Sequence, residues 1–166
     1  MKKIGLIKTS IHAVIPTKAT NMSSGYDLYA FLGEDVQEPL ILNPNQRFLI
    51  PTGIRIDMEF GLKDDKGETL QIIYDCDRFE AQVRSRSGLA LKNGICVLNG
   101  IGTIDQDYKG EIKVILINLS DVPFEIRNHD RIAQLVFCPV INVEFKSVEN
   151  FSKSERNEGG FGSTGK

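Results

Sequence analysis

A chain of 166 residues, 41% of them hydrophobic, is long enough to bury one core and short enough to be one domain. Its formal net charge of −2 supplies no basic stripe for neutralising a phosphate backbone, which excludes the ordinary nucleic-acid binders. No apolar run reaches the roughly 18 residues that cross a bilayer, and Met1-Lys2-Lys3 leads into too few apolar residues for a signal peptide, so a soluble, intracellular protein without a membrane partner is expected.

In chain order, the first informative segment is Ser24–Ala30, where Asp27 stands at the entry from a polar loop into an apolar strand. A carboxylate there either orients the water shell of a metal ion or caps a turn, and the local residues leave both readings open. Turn residues follow at Gly33 and Asn43-Pro44-Asn45, and Ile54–Met58 alternates apolar and polar side chains as a strand with one buried face does. Gly61–Gly67 is charged and punctuated by glycine, which predicts an exposed hairpin tip.

Arg84-Ser85-Arg86-Ser87 precedes the one helical stretch, Ser87–Gly94, for which Ser87 is the expected cap and Asn93 or Gly94 the expected stop. A helix N-terminus with Arg86 beside it makes an oligophosphate cradle; a capped helix with solvated arginines fits the same residues. Asn99–Gly110 reads as a hairpin carrying Asp105 and Asp107. An aspartate with an ordinary pKa of about 3.9 is ionised at neutral pH and can take a proton from water, but most such residues only make turns. Asp105 and Asp107 share a side if the backbone is extended, and a turn at Gln106 separates them.

Ile112–Ile117 is nearly continuous and β-branched, which predicts a strand covered on both faces. After a turn at Asn128-His129-Asp130, Arg131–Phe137 places Gln134 within an apolar strand, where its amide needs partners from backbone or ligand. Ile141–Phe145 alternates as a further strand. Closely spaced turns and short strands make an all-β fold with one short helix.

From Ser152 the chain loses apolar residues except Phe161, so the expected division is a folded body over residues 1–151 and a flexible Gly-rich tail over 152–166. Gly160-Phe161-Gly162-Ser163-Thr164-Gly165-Lys166 mimics the spacing of a P-loop, but a P-loop needs a strand before it and a Ser or Thr opening a helix after it. A glycine-rich anion contact with a flat aromatic face for a base remains as one reading of the tail, and a plain flexible segment as the other. Cys76, Cys96 and Cys138 form neither a disulfide framework nor a metal pattern, and Cys96 and Cys138 are expected to pack in the core. His12 and His129 are far apart with no nucleophile beside them in sequence, which makes both structural or surface residues.

Each segment is weak alone, yet Ser24–Ala30, Arg86–Ala90, Asn99–Gly110, Arg131–Phe137 and Arg156–Gly165 resemble, in order and spacing, the five signature motifs of the trimeric dUTP diphosphatases. The resemblance implies a jelly-roll-type β-barrel assembled as a homotrimer with shared active sites, acting on dUTP with Mg2+. It implies that Asp105 activates the water attacking the α-phosphate, that Asn99 and the main chain at Thr103 and Ile104 contact the nucleoside, and that Tyr108 packs on the sugar and excludes a 2′-hydroxyl. Lys113, just past the hairpin, is a further substrate contact. Arg86, Ser87, Gly88 and Gln134 are expected on the triphosphate, Asp27 on the waters of the magnesium ion, Phe161 on the uracil, and Arg156, Gly162, Ser163 and Thr164 near the phosphates. Ser24, Ser85 and Asn157 depart from the family's frequent Ala, Pro and Gly without removing a functional group. The rivals are a dCTP deaminase, which shares the barrel but resembles these motifs less, and a non-catalytic nucleotide-binding module, against which the joint presence of Asp105, Gln134 and Phe161 argues.

Overall fold

The computed structural model describes residues 3–59 and 78–160; the expected hairpin tip at 61–67, Cys76, and Phe161, Gly162, Ser163 and Thr164 lie outside the described residues. The strands are β1 (Gly5–Lys8), β2 (Tyr26–Tyr29), β3 (Leu40–Leu42), β4 (Arg47–Asp57), β5 (Phe79–Arg84), β6 (Ile95–Val97), β7 (Ile101–Ile104), β8 (Glu111–Asn118), β9 (Phe124–Ile126) and β10 (Arg131–Pro139), with helix α1 (Ser87–Asn93) between β5 and β6. They form two four-stranded sheets, ordered β1-β4-β8-β6 and β2-β10-β5-β7, and a small β3-β9 pair. All the pairings within them are antiparallel. The inner faces meet in one core that includes Leu28, Ile50, Ile54, Val83, Ile112, Val114, Leu116, Ile132 and Leu135. The jelly-roll-type barrel is as expected, and so is the one short helix among the described residues, where no helix is long and apolar enough to cross a membrane.

Alternation sets which side chains reach that core. Along β4, Ile54 and Ile56 are buried while Arg55 between them is exposed, because successive side chains point to opposite faces. The ladder between β4 and β8 shifts register between Pro51 and Arg55. At that irregularity the Gly53 N–H donates to Glu111 Oε1 at 2.8 Å and the Thr52 hydroxyl to the Ile112 carbonyl at 2.6 Å. The backbone groups released by the bulge therefore keep partners.

Five expectations change. The strand Ile112–Ile117 is fully covered on one face only: Ile112, Val114 and Leu116 are buried against the other sheet, whereas Lys113 is exposed and Ile115 and Ile117 are half-buried, since alternate side chains turn away from the core. Ile141–Phe145 forms no strand, having no partner strand among the described residues, and leaves Ile141, Val143 and Phe145 at least 72% exposed. Asn99–Gly110 is not a self-paired hairpin, because β7 pairs with β5 in one sheet while β6 and β8 pair in the other. Arg86, not Ser87, occupies the N-cap of α1, with no side-chain cap bond, while Gly94 ends the helix in the left-handed region at φ 66° as expected.

Cys96 and Cys138 carry free thiols and are half-buried rather than enclosed in the core. His12 and His129 are exposed, and the ring Nε2 of His129 lies 3.0 Å from the His12 carbonyl oxygen, a surface contact in keeping with the sequence reading.

Candidate active site

The sites expected from sequence gather into two groups. The first is a cavity of about 300 Å³ lined by Asn99, Thr103, Ile104, Asp105, Tyr108, Glu111 and Lys113 together with apolar residues of β4, β5, β6 and β8. Its shape follows from β7, an edge strand in the order β2-β10-β5-β7. Alternate residues of an edge strand turn their N–H and C=O groups away from the neighbouring strand, so this wall offers main-chain donors and acceptors beside Thr103 and Ile104.

After Ile104 the chain turns at Gln106 and Asp107, and the Tyr108 N–H donates to the Asp105 carbonyl at 3.1 Å. The turn decides the question left by alternation: Asp105 lines the cavity and Asp107 does not. The Tyr108 hydroxyl donates to the Glu111 carbonyl at 3.1 Å, and its ring lies so close over Gly110 that an added Cβ there would come within 2.3 Å of the hydroxyl and 2.5 Å of Cζ. Only glycine leaves room for this ring position.

The second group holds the charge. Asp27 on β2 sits opposite Gln134 on β10, and Gln134 in turn sits opposite Arg84 on β5. Asp27, 14% exposed, has Arg86 Nε 3.0 Å from Oδ1 and Arg131 Nη1 3.2 Å from Oδ2. Arg86 Nη1 also donates to the Arg131 carbonyl at 2.9 Å, which ties the entrance of α1 to the start of β10. Gln134 Nε2 donates to the Ser85 carbonyl at 2.9 Å, and a Cβ on Gly25 would fall 2.3 Å from Gln134 Oε1. Ser87 and Gly88 are exposed beside this group at the first turn of α1.

Neither Asp27, Arg86, Ser87, Gly88 nor Gln134 lines the cavity of the first group. Arg156 joins neither; it is exposed, and its Nε donates to the Gly159 carbonyl at 2.7 Å. The next residue, Asn157, has φ 42°, a conformation that glycine adopts freely and asparagine tolerates, which accounts for Asn at a position where glycine is frequent.

Residues that the sequence reading left out adjoin these two groups. Arg131 reaches Asp27 because a register shift between Arg131 and Ala133 offsets the β2–β10 ladder, and no local pattern carries that information. Ser85 joins the two sheets, its hydroxyl accepting the Val97 N–H at 2.8 Å while its carbonyl holds Gln134. Lys109 has a pKa above its ordinary value: burial opposes its charge, but the Asp57 and Glu59 carboxylates beside it outweigh that. Among the described residues no group of three or more His, Cys, Asp or Glu could hold a metal ion.

A dUTPase family model matches residues 68–165. The deoxyuridine 5'-triphosphate nucleotidohydrolase of Wolbachia pipientis subsp. Culex pipiens (strain wPip) is 50% identical over 154 residues, covering 92% of this chain and 87% of the relative. That of Nautilia profundicola is 44% identical over 164 residues, covering 99% of each. Among solved structures, a variant of the Staphylococcus bacteriophage 80alpha dUTPase with dUpNHpp has a TM-score of 0.77 at 24% identity over 99% of both chains. A variant of the phage phi11 dUTPase, described with a structural Mg(II) ion, has a TM-score of 0.67 at 21% identity over 90% of this chain and 98% of that one. With an order of motifs, a barrel and close relatives along almost its whole length in agreement, the chain belongs to the dUTPase family.

Proposed function

We propose that this dUTPase hydrolyses dUTP to dUMP and pyrophosphate, with Asp105 taking the proton from the water that attacks the α-phosphorus. The observation that carries the reading is the presence of Asp105 at the wall of a cavity whose other polar lining is Asn99, Thr103, Tyr108, Glu111 and Lys113. A carboxylate at the end of an edge strand can hold a water while the adjacent main chain and Asn99 take the ring edge of a base. Uracil and cytosine present reversed donor and acceptor patterns there, so fixed main-chain groups suit one and leave the other unpaired. Tyr108, braced over Gly110, is proposed to pack on deoxyribose and exclude a 2′-hydroxyl, and Lys113 to add a substrate contact.

Arg86, Ser87, Gly88 and Gln134 are proposed to hold the triphosphate. In support, Arg86 already sits at the N-terminus of α1, and the amide of Gln134 is oriented by Ser85. The donor set fits a magnesium ion carried by the triphosphate rather than caged by protein: Asp27 stands alone as the carboxylate of this group, and Mg2+ ordinarily keeps waters that a single outer carboxylate can accept from. Such an ion supplies neutralisation of the phosphate charge. Asp27 meanwhile orients Arg86 and Arg131, one on each oxygen.

The proposed assembly is a homotrimer whose active sites take segments from all three subunits. Two observations support it: the charged group does not line the cavity, and Val143, Phe145 and Phe151 are at least 72% exposed in the single chain. In this reading residues 1–151 form the hydrolase body, and 152–166 close over a site, with Phe161 stacked on uracil and Arg156, Gly162, Ser163 and Thr164 at the phosphates. The reaction keeps uracil out of DNA and supplies dUMP for dTMP synthesis, which suits a soluble intracellular enzyme. Assaying pyrophosphate and ammonia with dUTP, dCTP, dTTP and UTP tests the reading. Pyrophosphate from dUTP alone is expected; ammonia from dCTP points to a deaminase, and no product from dUTP to a binding module.

A further inference from the structure

The turn that brings Asp105 and Tyr108 to the cavity ends on Lys109, which does not line it. Lys109 Nζ lies 2.7 Å from Asp57 Oδ1 and 3.1 Å from Glu59 Oε2, and Asp57 Oδ1 also accepts the Glu59 N–H at 3.0 Å. The Lys109 carbonyl accepts from Arg55 Nε at 2.7 Å. Side chain and main chain of one residue are thus gripped by three residues at the end of β4. That end is itself paired with β1, Arg55 opposite Ile7 and Asp57 opposite Gly5. On the far side of Gly110, the Tyr108 hydroxyl is tied to the Glu111 carbonyl.

We propose that Lys109, held by Arg55, Asp57 and Glu59, is a positioning residue that fixes the turn presenting Asp105 and Tyr108 to the substrate. The proposal rests on the reading of Asp105 as the base. Lys109 touches no part of the cavity and acts through its neighbours in the turn. Its ion pairs are exposed by 30 to 40%, and pairs of that kind add little to global stability. A rate, however, is far more sensitive than stability to the placement of a base, since a shift of about 1 Å costs roughly a hundredfold. Losing the clamp should therefore appear in turnover before it appears in unfolding.

The test is steady-state kinetics on dUTP, with amide hydrogen exchange, for Lys109→Met, Lys109→Arg and Asp105→Asn in the full chain. Lys109→Met is expected to lower kcat about tenfold with KM changed by less than about threefold, and Lys109→Arg to restore most of the loss. Exchange at the Tyr108 amide, bonded to the Asp105 carbonyl, should quicken by about tenfold while amides of β4 and β8 keep their rates. Wild-type kcat and exchange in Lys109→Met would overturn the proposal, as would a kcat loss accompanied by uniformly faster exchange across both strands, or one that Lys109→Arg fails to restore. An inactive Asp105→Asn beside a fully active Lys109→Met removes the clamp alone. An active Asp105→Asn removes the base, and the clamp's catalytic role with it.

Discussion

The cavity flanked by β7 and β8 sets a few polar side chains and main chain among apolar walls, whereas the group on β2, β10 and the entrance of α1 is built around one carboxylate paired with two arginines. The first needs little beyond the fold: an edge strand, a turn and a tyrosine over a glycine already define a shape. The second satisfies itself, Asp27 holding one arginine on each oxygen. A pocket that selects a base can be rigid, because the strand fixes its main-chain donors and acceptors before the base arrives. A site for a triphosphate must keep its cations soluble and oriented until the anion arrives, and a carboxylate between two guanidinium groups does that.

Three changes separate the two regions. Asp105→Asn should have the largest effect, lowering kcat by about 10²- to 10⁴-fold while dUTP still binds, as single-turnover rates and calorimetry would record; unchanged turnover would remove Asp105 as the base. Arg86→Ala acts on the charged region, removing a triphosphate contact and one partner of Asp27, with an expected loss in kcat/KM of about ten- to a hundredfold. An equal loss of affinity for deoxyuridine would show that the regions are not separable. Tyr108→Ala should raise the UTP to dUTP rate ratio about tenfold by opening room for a 2′-hydroxyl, and competition assays would detect it.

The smallest effect is on stability against pH. The folded pKa of Lys109 lies above its ordinary 10.5, so its contribution is fully present below that pH and is lost as pH rises through the folded value. The melting-temperature difference between wild type and Lys109→Met should therefore shrink above about pH 10.5, and only modestly, since the pairs are exposed. A gap that widens with pH would contradict the assignment.

Much of this arrangement was legible from residues in order. The five blocks located Asp27, Arg86, Asp105 and Gln134, and alternation in Ile54–Met58 named the buried face of β4. Two of the misreadings share one cause. Ile112–Ile117 was expected to be covered twice and Ile141–Phe145 to form a strand, because apolar content was credited to cover within the chain; in the structure both segments leave apolar side chains uncovered. Ser87 was expected to cap α1 from its residue type, but the cap position fell on Arg86, whose guanidinium is turned to Asp27.

By itself the sequence determined the all-β class and a helix stop at Asn93 or Gly94, since these depend on near neighbours: periodicity, turn preference and side-chain type. Tertiary structure alone decided that Asp105 and not Asp107 meets the cavity, that Arg131 shares Asp27 with Arg86, and that Arg55 grips the Lys109 carbonyl. Those contacts span as many as 104 positions in sequence, and a register shift, a turn or a sheet order that no short window contains sets them.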